Sequence, residues 1–369
     1  MTTTRFVLVG GFLGAGKTTA LARLALGHQA AGRTVGLITN DQAAGLVDTG
    51  SLQVRGLRVE EVAGGCFCCR FDDLARAADR LRGEERPQVL LAEPVGSCTD
   101  LVATVINPWK RLYGGDYSMA PYSVLLDPLR AGQMLLRPGL GGFSSRIAYI
   151  YRKQLEEADL LVLNKVDLLD PAAADAIERA LVAEFPGRAV LRVSAVTGLG
   201  FAAWQECLER DGPYGRNILE IDYDTYAAGE AELGWLNATA SINADEPFDA
   251  DAAVLDLMRR ITAALAAGRL EPAHLKVLFR DDTGQAAVAS LVRGGAEPEM
   301  SSVLGRRVRA GTLVVNARAQ ADPADLRARF EAALRDLGAA RNLTIRLGAI
   351  ADFRPSRPVP VHRFDSPVV

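Results

Sequence analysis

The sequence predicts an α/β protein: a doubly wound, mostly parallel sheet, followed by a second, smaller α+β domain. Three observations carry that expectation. Between Arg5 and Glu209, short strand-like runs alternate with longer helical stretches. The runs FVLVG, TVGLITN, LRVEEVAG, QVLLAEP, YSVLLDP, DLLVLNKVD and AVLRVSA are apolar almost throughout. Strands read that way when helices cover both faces of a parallel sheet. Past a turn-rich acidic stretch the rhythm changes to strands around two amphipathic helices. The expected organisation is 1–210 for the first domain, 211–234 for a linker or irregular segment, and 235–369 for the small domain with an extended Pro/Arg-rich tail.

Composition narrows the class. A chain of 369 residues is long for one compact core, and 49% hydrophobic content with 6% aromatics fits a soluble α/β protein. A net charge of −3 offers no electrostatic reason for nucleic acid or an anionic membrane as partner. MTTTR leads straight into a strand-like run, without the basic-then-apolar layout of a signal peptide. No apolar run approaches the ~18 residues of a membrane-spanning helix. Three of the five cysteines crowd into positions 66–69, which argues against a disulfide scaffold. A cytoplasmic location is expected.

Taken in order, the first strand runs into GFLGAGKT, Gly11 to Thr18. With a strand before it and a helix after it, this pattern is a phosphate cradle. Its backbone N–H groups sit at a positive helix end, Lys17 reaches the β- and γ-phosphates, and Thr18 ligates Mg²⁺. The nucleotide-binding positions expected here are Gly11, Gly14, Ala15, Gly16, Lys17, Thr18 and Thr19. The second strand ends in Asn40-Asp41-Gln42, where a switch segment belongs, and Asp41 is a metal-facing acid candidate.

After the third strand comes GGCFCC. Cys66, Cys68 and Cys69 cannot all point one way on a strand or helix, so a loop following Gly64-Gly65 is expected. Three soft thiolates suit Zn²⁺ or Cu⁺, and an open fourth position leaves the ion transferable. Buried hydrophobic cysteines, a redox pair or a strained loop are the alternatives. Cys98, just past the EPVG segment, is a further candidate for the same place, with a small buried residue the default reading. The fourth strand ends in Glu93-Pro94-Val95-Gly96. A carboxylate there can hold Mg²⁺ through water, and the Gly96 N–H can sense a γ-phosphate. Lys17, Asp41, Glu93 and Gly96 are therefore the catalytic candidates.

Asn164-Lys165-Val166-Asp167 closes DLLVLNKVD. A carboxylate at Asp167 can accept from guanine N1–H and its exocyclic amine, which adenine does not reciprocate. Polar sites of this kind discriminate by ~10⁴-fold. Asn164 is expected on the base's other edge, the stem of Lys165 over its face, and Ser194-Ala195 in an additional base-side loop. Asp170-Pro171 reads as an N-cap with a first-turn proline. His28, His274 and His362 read as surface or packing residues.

In the small domain the expected order is β-α-β-β-β-α-β. Val254, Leu257, Met258, Ile261 and Leu265 share one helical face, as do Leu326, Phe330, Leu334 and Leu337 after Asp322-Pro323. Leu343, Ile345 and Leu347 alternate as in a half-buried strand.

GGFLGAGKTT, a glycine-led CxCC loop, ExxG in place of DxxG, and NKxD together resemble the CobW-type GTPases, relatives of the GTPases that mature urease and hydrogenase. The resemblance spans roughly residues 4–209. It implies a SIMIBI-class P-loop GTPase that binds a transition metal at Cys66, Cys68 and Cys69 and delivers it to a client metalloprotein. It implies GTP and Mg²⁺ as further ligands, with Zn²⁺ the first choice of transition metal and Co²⁺ the alternative. By the same carry-over Lys17 and Thr18 match the phosphate and Mg²⁺ positions, Glu93 and Gly96 the γ-phosphate sensor, and Asn164 and Asp167 the guanine reader. The chain departs from NEFGE at the first switch, reading Asn40-Asp41-Gln42-Ala43-Ala44, so Ala44 lacks a carboxylate. Residues 210–369 match only in general α+β character.

The leading expectation is a GTP-gated metal chaperone. No residue is an obvious fixed base, and unassisted GTPases turn over near ~10⁻³ s⁻¹ or slower. Slow intrinsic hydrolysis, accelerated by a client or by a nucleotide-dependent homodimer, follows. A GTPase switch protecting or reactivating a metallo- or corrinoid enzyme without carrying metal is the second reading. A small-molecule kinase or ligase is the third, and NKVD weighs against it.

Overall fold

The computed structural model describes residues 3–42, 47–136 and 143–368. Ala43 and Ala44 of the first-switch reading lie outside them. Two compact units are present: Met1–Ala44, Leu57–Ala227 and Arg357–Val369 form the first, and Gly45–Gly56 with Ala228–Ser356 form the second.

The first unit is built on a parallel sheet whose strands are β1 (Thr4–Gly11), β2 (Val35–Asp41), β3 (Val59–Ala63), β4 (Val89–Glu93), β5 (Tyr117–Met119), β6 (Ser123–Leu126), β7 (Leu160–Leu163) and β8 (Ala189–Arg192). Their order is β3-β2-β4-β1-β6-β7-β8, with β5 also pairing β1. Every residue of β1, β2 and β4 is buried. That explains their unbroken apolar character, because helices cover both faces. The helices are α1 (Lys17–Ala30), α3 (Phe71–Glu85), α4 (Asn107–Tyr113), α5 (Pro128–Ala131), α6 (Ser145–Glu157), α7 (Pro171–Glu184) and α8 (Phe201–Glu209). Asp170 caps α7 by accepting the Ala173 N–H at 2.9 Å, with Pro171 in the first turn as read from sequence. Phe6 stacks on Trp109 at 4.7 Å, tying β1 to α4 in the core.

The parallel arrangement has one consequence for function. The carboxyl ends of β1, β2, β3, β4, β6, β7 and β8 all emerge on the same edge of the sheet, where ligands of open α/β sheets bind. Every candidate residue named from the sequence lies at or just beyond one of those ends.

The second unit contains a six-stranded antiparallel sheet, ordered β12-β11-β10-β13-β9-β14. Its strands are β9 (Gly234–Asp249), β10 (Pro272–Arg280), β11 (Ala286–Leu291), β12 (Glu299–Ser302), β13 (Arg307–Ala319) and β14 (Thr344–Phe353). Helices α10 (Ala250–Ala267) and α11 (Pro323–Arg341) share one core with one face of that sheet, through Leu257, Ile261, Phe330 and Leu337 against Val277, Phe279 and Val315. The other face carries α2 (Val47–Val54), whose Val47 packs on Leu278 and Val288. Alternation along β10 sends Val277 and Phe279 to one side and Leu278 to the other.

Several features differ from expectation, among them the three-residue β5 and Gly45–Gly56, expected in the first domain but grouped with the second unit. Strand β12 was not anticipated, because its four residues are half-exposed and polar. Helix α9 (Tyr223–Ala231) occupies part of the stretch read as irregular. Leu347 is 40% exposed, so β14 is less buried than its alternation suggests. Residues 357–369, read from sequence as the tail of the small domain, group with the first unit. Among the described residues no helix is long and apolar enough to cross a membrane.

Candidate functional site

The glycine loop joins β1 to α1, and Gly16, in the left-handed region at φ 90°, is the helix N-cap without a capping side chain. A Cβ at Gly16 would lie 2.5 Å from the Asn164 Nδ2, so only glycine fits there. Lys17, Thr18 and Thr19 form the first turn, at the positive helix end that favours an anion. Lys17 is buried, and its Nζ donates to the Gly11 carbonyl at 2.8 Å. Those bonds hold the ammonium folded over the loop it would share with phosphate.

Thr18 donates its hydroxyl to Glu93 Oε1 at 3.2 Å, and both side chains are buried. A hydroxyl paired with a buried carboxylate suits a hard, oxygen-seeking cation such as Mg²⁺, which keeps several waters. Gly96 lies three residues beyond Glu93. A Cβ on it would stand 3.0 Å from Lys17 Nζ and 2.8 Å from Leu13 Cδ2, so its backbone closes directly on the phosphate lysine. Lys17, Thr18, Glu93 and Gly96, far apart in sequence, are brought together.

The base-side residues also bond within the protein. Asn164 spends both ends of its carboxamide on protein: Nδ2 donates to the Ala15 carbonyl at 2.9 Å, and Oδ1 accepts the Ala195 N–H at 3.0 Å. It fastens the phosphate loop to the loop after β8. Lys165 Nζ donates to the Gly14 carbonyl and to Asp127, each at 2.8 Å. Burial raises the Asp127 carboxyl, but the Lys165 ammonium, together with the Arg130 N–H and charge, more than offsets this and holds it below the usual range. Asp127 was missed by the sequence reading, although its Asp-Pro step marked an N-cap, and it does cap α5 through the Arg130 N–H. Asp167 is exposed at the rim, while Ser194 and Ala195 are buried.

Asn40, Asp41 and the cysteine loop meet at the ends of β2 and β3. Those strands pair in parallel, Asp41 opposite Ala63. Gly64 and Gly65 both adopt positive φ, which turns the chain out of β3. The loop then closes with the Cys69 and Arg70 N–H groups on the Cys66 carbonyl, at 3.0 and 2.9 Å, and enters α3. That turn gathers the thiols. Cys66 Sγ lies 2.9 Å from Cys68 Sγ and 3.3 Å from Cys69 Sγ, and Cys68 Sγ lies 3.7 Å from Cys69 Sγ. All three fall within 4.8 Å of one another, close enough to ligate one ion.

Hydrogen bonds set the proton distribution. Donation from Cys68, then from Cys69 and Cys98, pulls Cys66 well below an ordinary thiol. Cys68 is pushed well up, chiefly by its bond to Cys66 and then by burial. Cys69 is pushed up to about 11, again first by its bond to Cys66. One thiolate is therefore favoured, with its neighbours as donors. Cys98, read from sequence as a small buried residue, is buried and also reaches Cys66. His28 and His274 are buried in the packing. His362 sets its ring edge-on to Phe71 at 5.0 Å.

Residues 5–191 match the family model of the CobW/HypB/UreG nucleotide-binding domain. The chain is 30% identical over 183 residues to the zinc chaperone YeiR of Escherichia coli, covering 48% of this chain and 51% of that protein. It is 30% identical over 221 residues to the zinc chaperone CobW of Pseudomonas aeruginosa, covering 52% and 56%. The chain thus spans about half the length of the curated relatives it matches. The Zn(II)-bound YjiA GTPase from E. coli aligns at 17% identity and TM-score 0.39, over 90% of this chain and 99% of that one. With half of its length matched by that model, and with the phosphate loop, the ExxG segment and the thiol cluster assembled on one sheet edge, the chain belongs to the CobW/HypB/UreG family.

Proposed function

We propose that the protein is a GTP-hydrolysing metallochaperone that carries a transition metal, Zn²⁺ first and Co²⁺ second, on Cys66, Cys68 and Cys69, and delivers it to a client metalloprotein. The observation that carries this reading is the pair of direct ties between the phosphate edge and the thiol cluster. Asn40, next to Asp41, donates to the carbonyls of Val62 and Gly65 at 2.9 and 2.7 Å, and accepts the Phe67 N–H at 2.9 Å. Gly96, beside Lys17, and Cys98, which reaches Cys66, both lend their carbonyls to Gln154 Nε2, at 3.1 and 2.8 Å.

GTP held by Gly11, Gly14, Ala15, Gly16, Lys17, Thr18 and Thr19 presents its γ-phosphate to the Gly96 N–H and Lys17. Asp167 accepts from the guanine edge, with Asn164 on the base's other edge, the Lys165 stem over its face, and Ser194 and Ala195 closing the base pocket; Asn164 and Lys165 also brace the loops. Thr18 would hold Mg²⁺, with Glu93 and Asp41 as the candidate carboxylates, and the ion would supply charge neutralisation to the transferring phosphoryl group. Movement of the Asp41 and Glu93–Gly96 segments on hydrolysis is passed through Asn40 and Cys98 to the sulfurs, and biases release of the metal. Hydrolysis is slow without client or homodimer, because among the described residues no side chain stands as a fixed base.

Metal titration of the purified protein tests this. Zn²⁺ affinity should collapse in a Cys66/Cys68/Cys69→Ser variant and shift between GTP-analogue and GDP states. Equal affinity of wild type and triple variant would leave only a guanine-nucleotide switch.

A further inference from the structure

We propose that residues 357–364 form a strap over the metal loop, and that the Val359 main-chain N–H positions the Cys69 sulfur and slows release of the bound ion. The inference rests on the metal-carrying reading above. Cys69 is the least buried of the three clustered thiols, so it marks the side from which an ion can leave. The strap lies against that side. The Val359 N–H donates to Cys69 Sγ at 3.3 Å, and the Val361 N–H donates to the Cys68 carbonyl at 2.9 Å.

The local sequence explains the geometry. In Pro358-Val359-Pro360-Val361 the prolines carry no N–H and restrict the backbone to extended conformations. The only main-chain donors of that stretch are thus Val359 and Val361, and both serve the cysteine loop. Their side chains point away, Val359 being 70% and Val361 48% exposed. Such apolar exposure makes no sense as packing, but it follows if the backbone is the working part.

Both flanks of the contact are anchored, the N-terminal one by Arg357 Nε, which pairs with Asp224 at 3.0 Å. Arg363 Nε pairs with Asp100 at 2.9 Å, and Arg363 also donates to the Leu219 carbonyl at 3.0 Å. Asp100 is buried at φ 65° and accepts the Tyr223 hydroxyl at 2.7 Å. Further on, the Phe364 N–H meets the Ala103 carbonyl at 3.0 Å and the Val368 N–H meets Asn107 Oδ1 at 2.7 Å. The strap is thus a defined, removable second layer on the sulfurs. An N–H to sulfur bond of this kind fixes the sulfur's direction and must break before the ligand can swing toward an acceptor.

The test uses the full chain loaded with Zn²⁺, with release followed by transfer to 4-(2-pyridylazo)resorcinol. Val359→Pro removes the donor while keeping an extended strap; Val359→Ala keeps the donor and removes only an exposed side chain. Release should be about threefold to tenfold faster in Val359→Pro, the worth of one such bond, and unchanged in Val359→Ala. Hydrogen–deuterium exchange of the Val361 amide in the metal-free chain should accelerate in the same variant, because the strap's hold on the loop is loosened. Should Val359→Pro fail to fold, Val361→Pro takes its place: it removes the strap's bond to the Cys68 carbonyl, and faster release is expected as the strap lifts from the loop and carries the Val359 N–H away from Cys69. Wild-type rates in the proline variants, with zinc retained by the wild type, overturn the strap alone. A wild type that retains no zinc overturns the metal-carrying reading and the strap with it.

Discussion

Asn40 and Phe67 are joined across two strands: the Asn40 carboxamide oxygen accepts the Phe67 N–H at 2.9 Å, inside the cysteine loop. The residue next in sequence to Asn40 is Asp41, on the phosphate edge. One carboxamide therefore spans the two chemistries that the chain carries. Replacing it by alanine deletes three buried hydrogen bonds, which should cost about 2–3 kcal/mol of stability. In Asn40→Ala, GTP-analogue binding should persist while the nucleotide dependence of Zn²⁺ affinity disappears. Calorimetric titration in the GTP-analogue and GDP states checks both, and retention of the full nucleotide effect would remove Asn40 from the relay.

Gly96 tests the phosphate sensor. Its φ is not in the left-handed region, so alanine is tolerated by the backbone. The added methyl, however, would crowd Lys17 Nζ and Leu13 at 3.0 and 2.8 Å. Gly96→Ala should lower single-turnover GTP hydrolysis at least about tenfold, while GDP affinity changes little. An equal loss in both would mean that the methyl disturbs the whole loop.

Asp167 tests the base reading. Asp167→Ala leaves the fold intact, since the side chain is exposed, and should narrow the GTP-over-ATP preference by about 10²-fold or more. Competition of both nucleotides for a fluorescent GDP analogue measures it. An unchanged preference would place guanine recognition elsewhere.

The thiol cluster predicts a pH dependence with a definite sign. Hydrogen bonds hold Cys66 low, whereas Cys68 and Cys69 are raised, Cys69 to about 11. At neutral pH the raised pair keeps its protons, so binding an ion must release about two protons. Apparent Zn²⁺ affinity should therefore rise with pH across 6–8 by about a hundredfold per unit, and flatten only as pH passes the raised values. Chelator competition in buffers of matched ionic strength measures the slope. A flat profile would mean that the sulfurs are not the ligands.

Much of this architecture was legible before any coordinates. GFLGAGKT, EPVG, GGCFCC and NKVD each sit at a strand end, and parallel order sends all those ends to one edge. Asp170-Pro171 and Asp322-Pro323 announced helix starts because capping is local chemistry. What escaped was either short or long-range. β5 and β12 have three and four residues, too few for a period to show. Asn164's ties to Ala15 and Ala195 span 149 and 31 residues, and Lys165's partner Asp127 lies 38 residues away. The Val359 contact with Cys69 closes a separation of 290 residues. No local pattern encodes such meetings; they exist only once the sheet has set the order of its strands.

The account's central claim is that occupancy of the phosphate loop is felt by an ion held on Cys66, Cys68 and Cys69. Its most direct test is the Zn²⁺ dissociation constant of the full chain, measured by chelator competition with GTP analogue and with GDP. The account predicts saturable binding of one ion at the cluster, with at least about a fivefold difference between the two nucleotide states, the lower range of allosteric coupling. Absence of binding in both states, or one identical constant in the two, would contradict it.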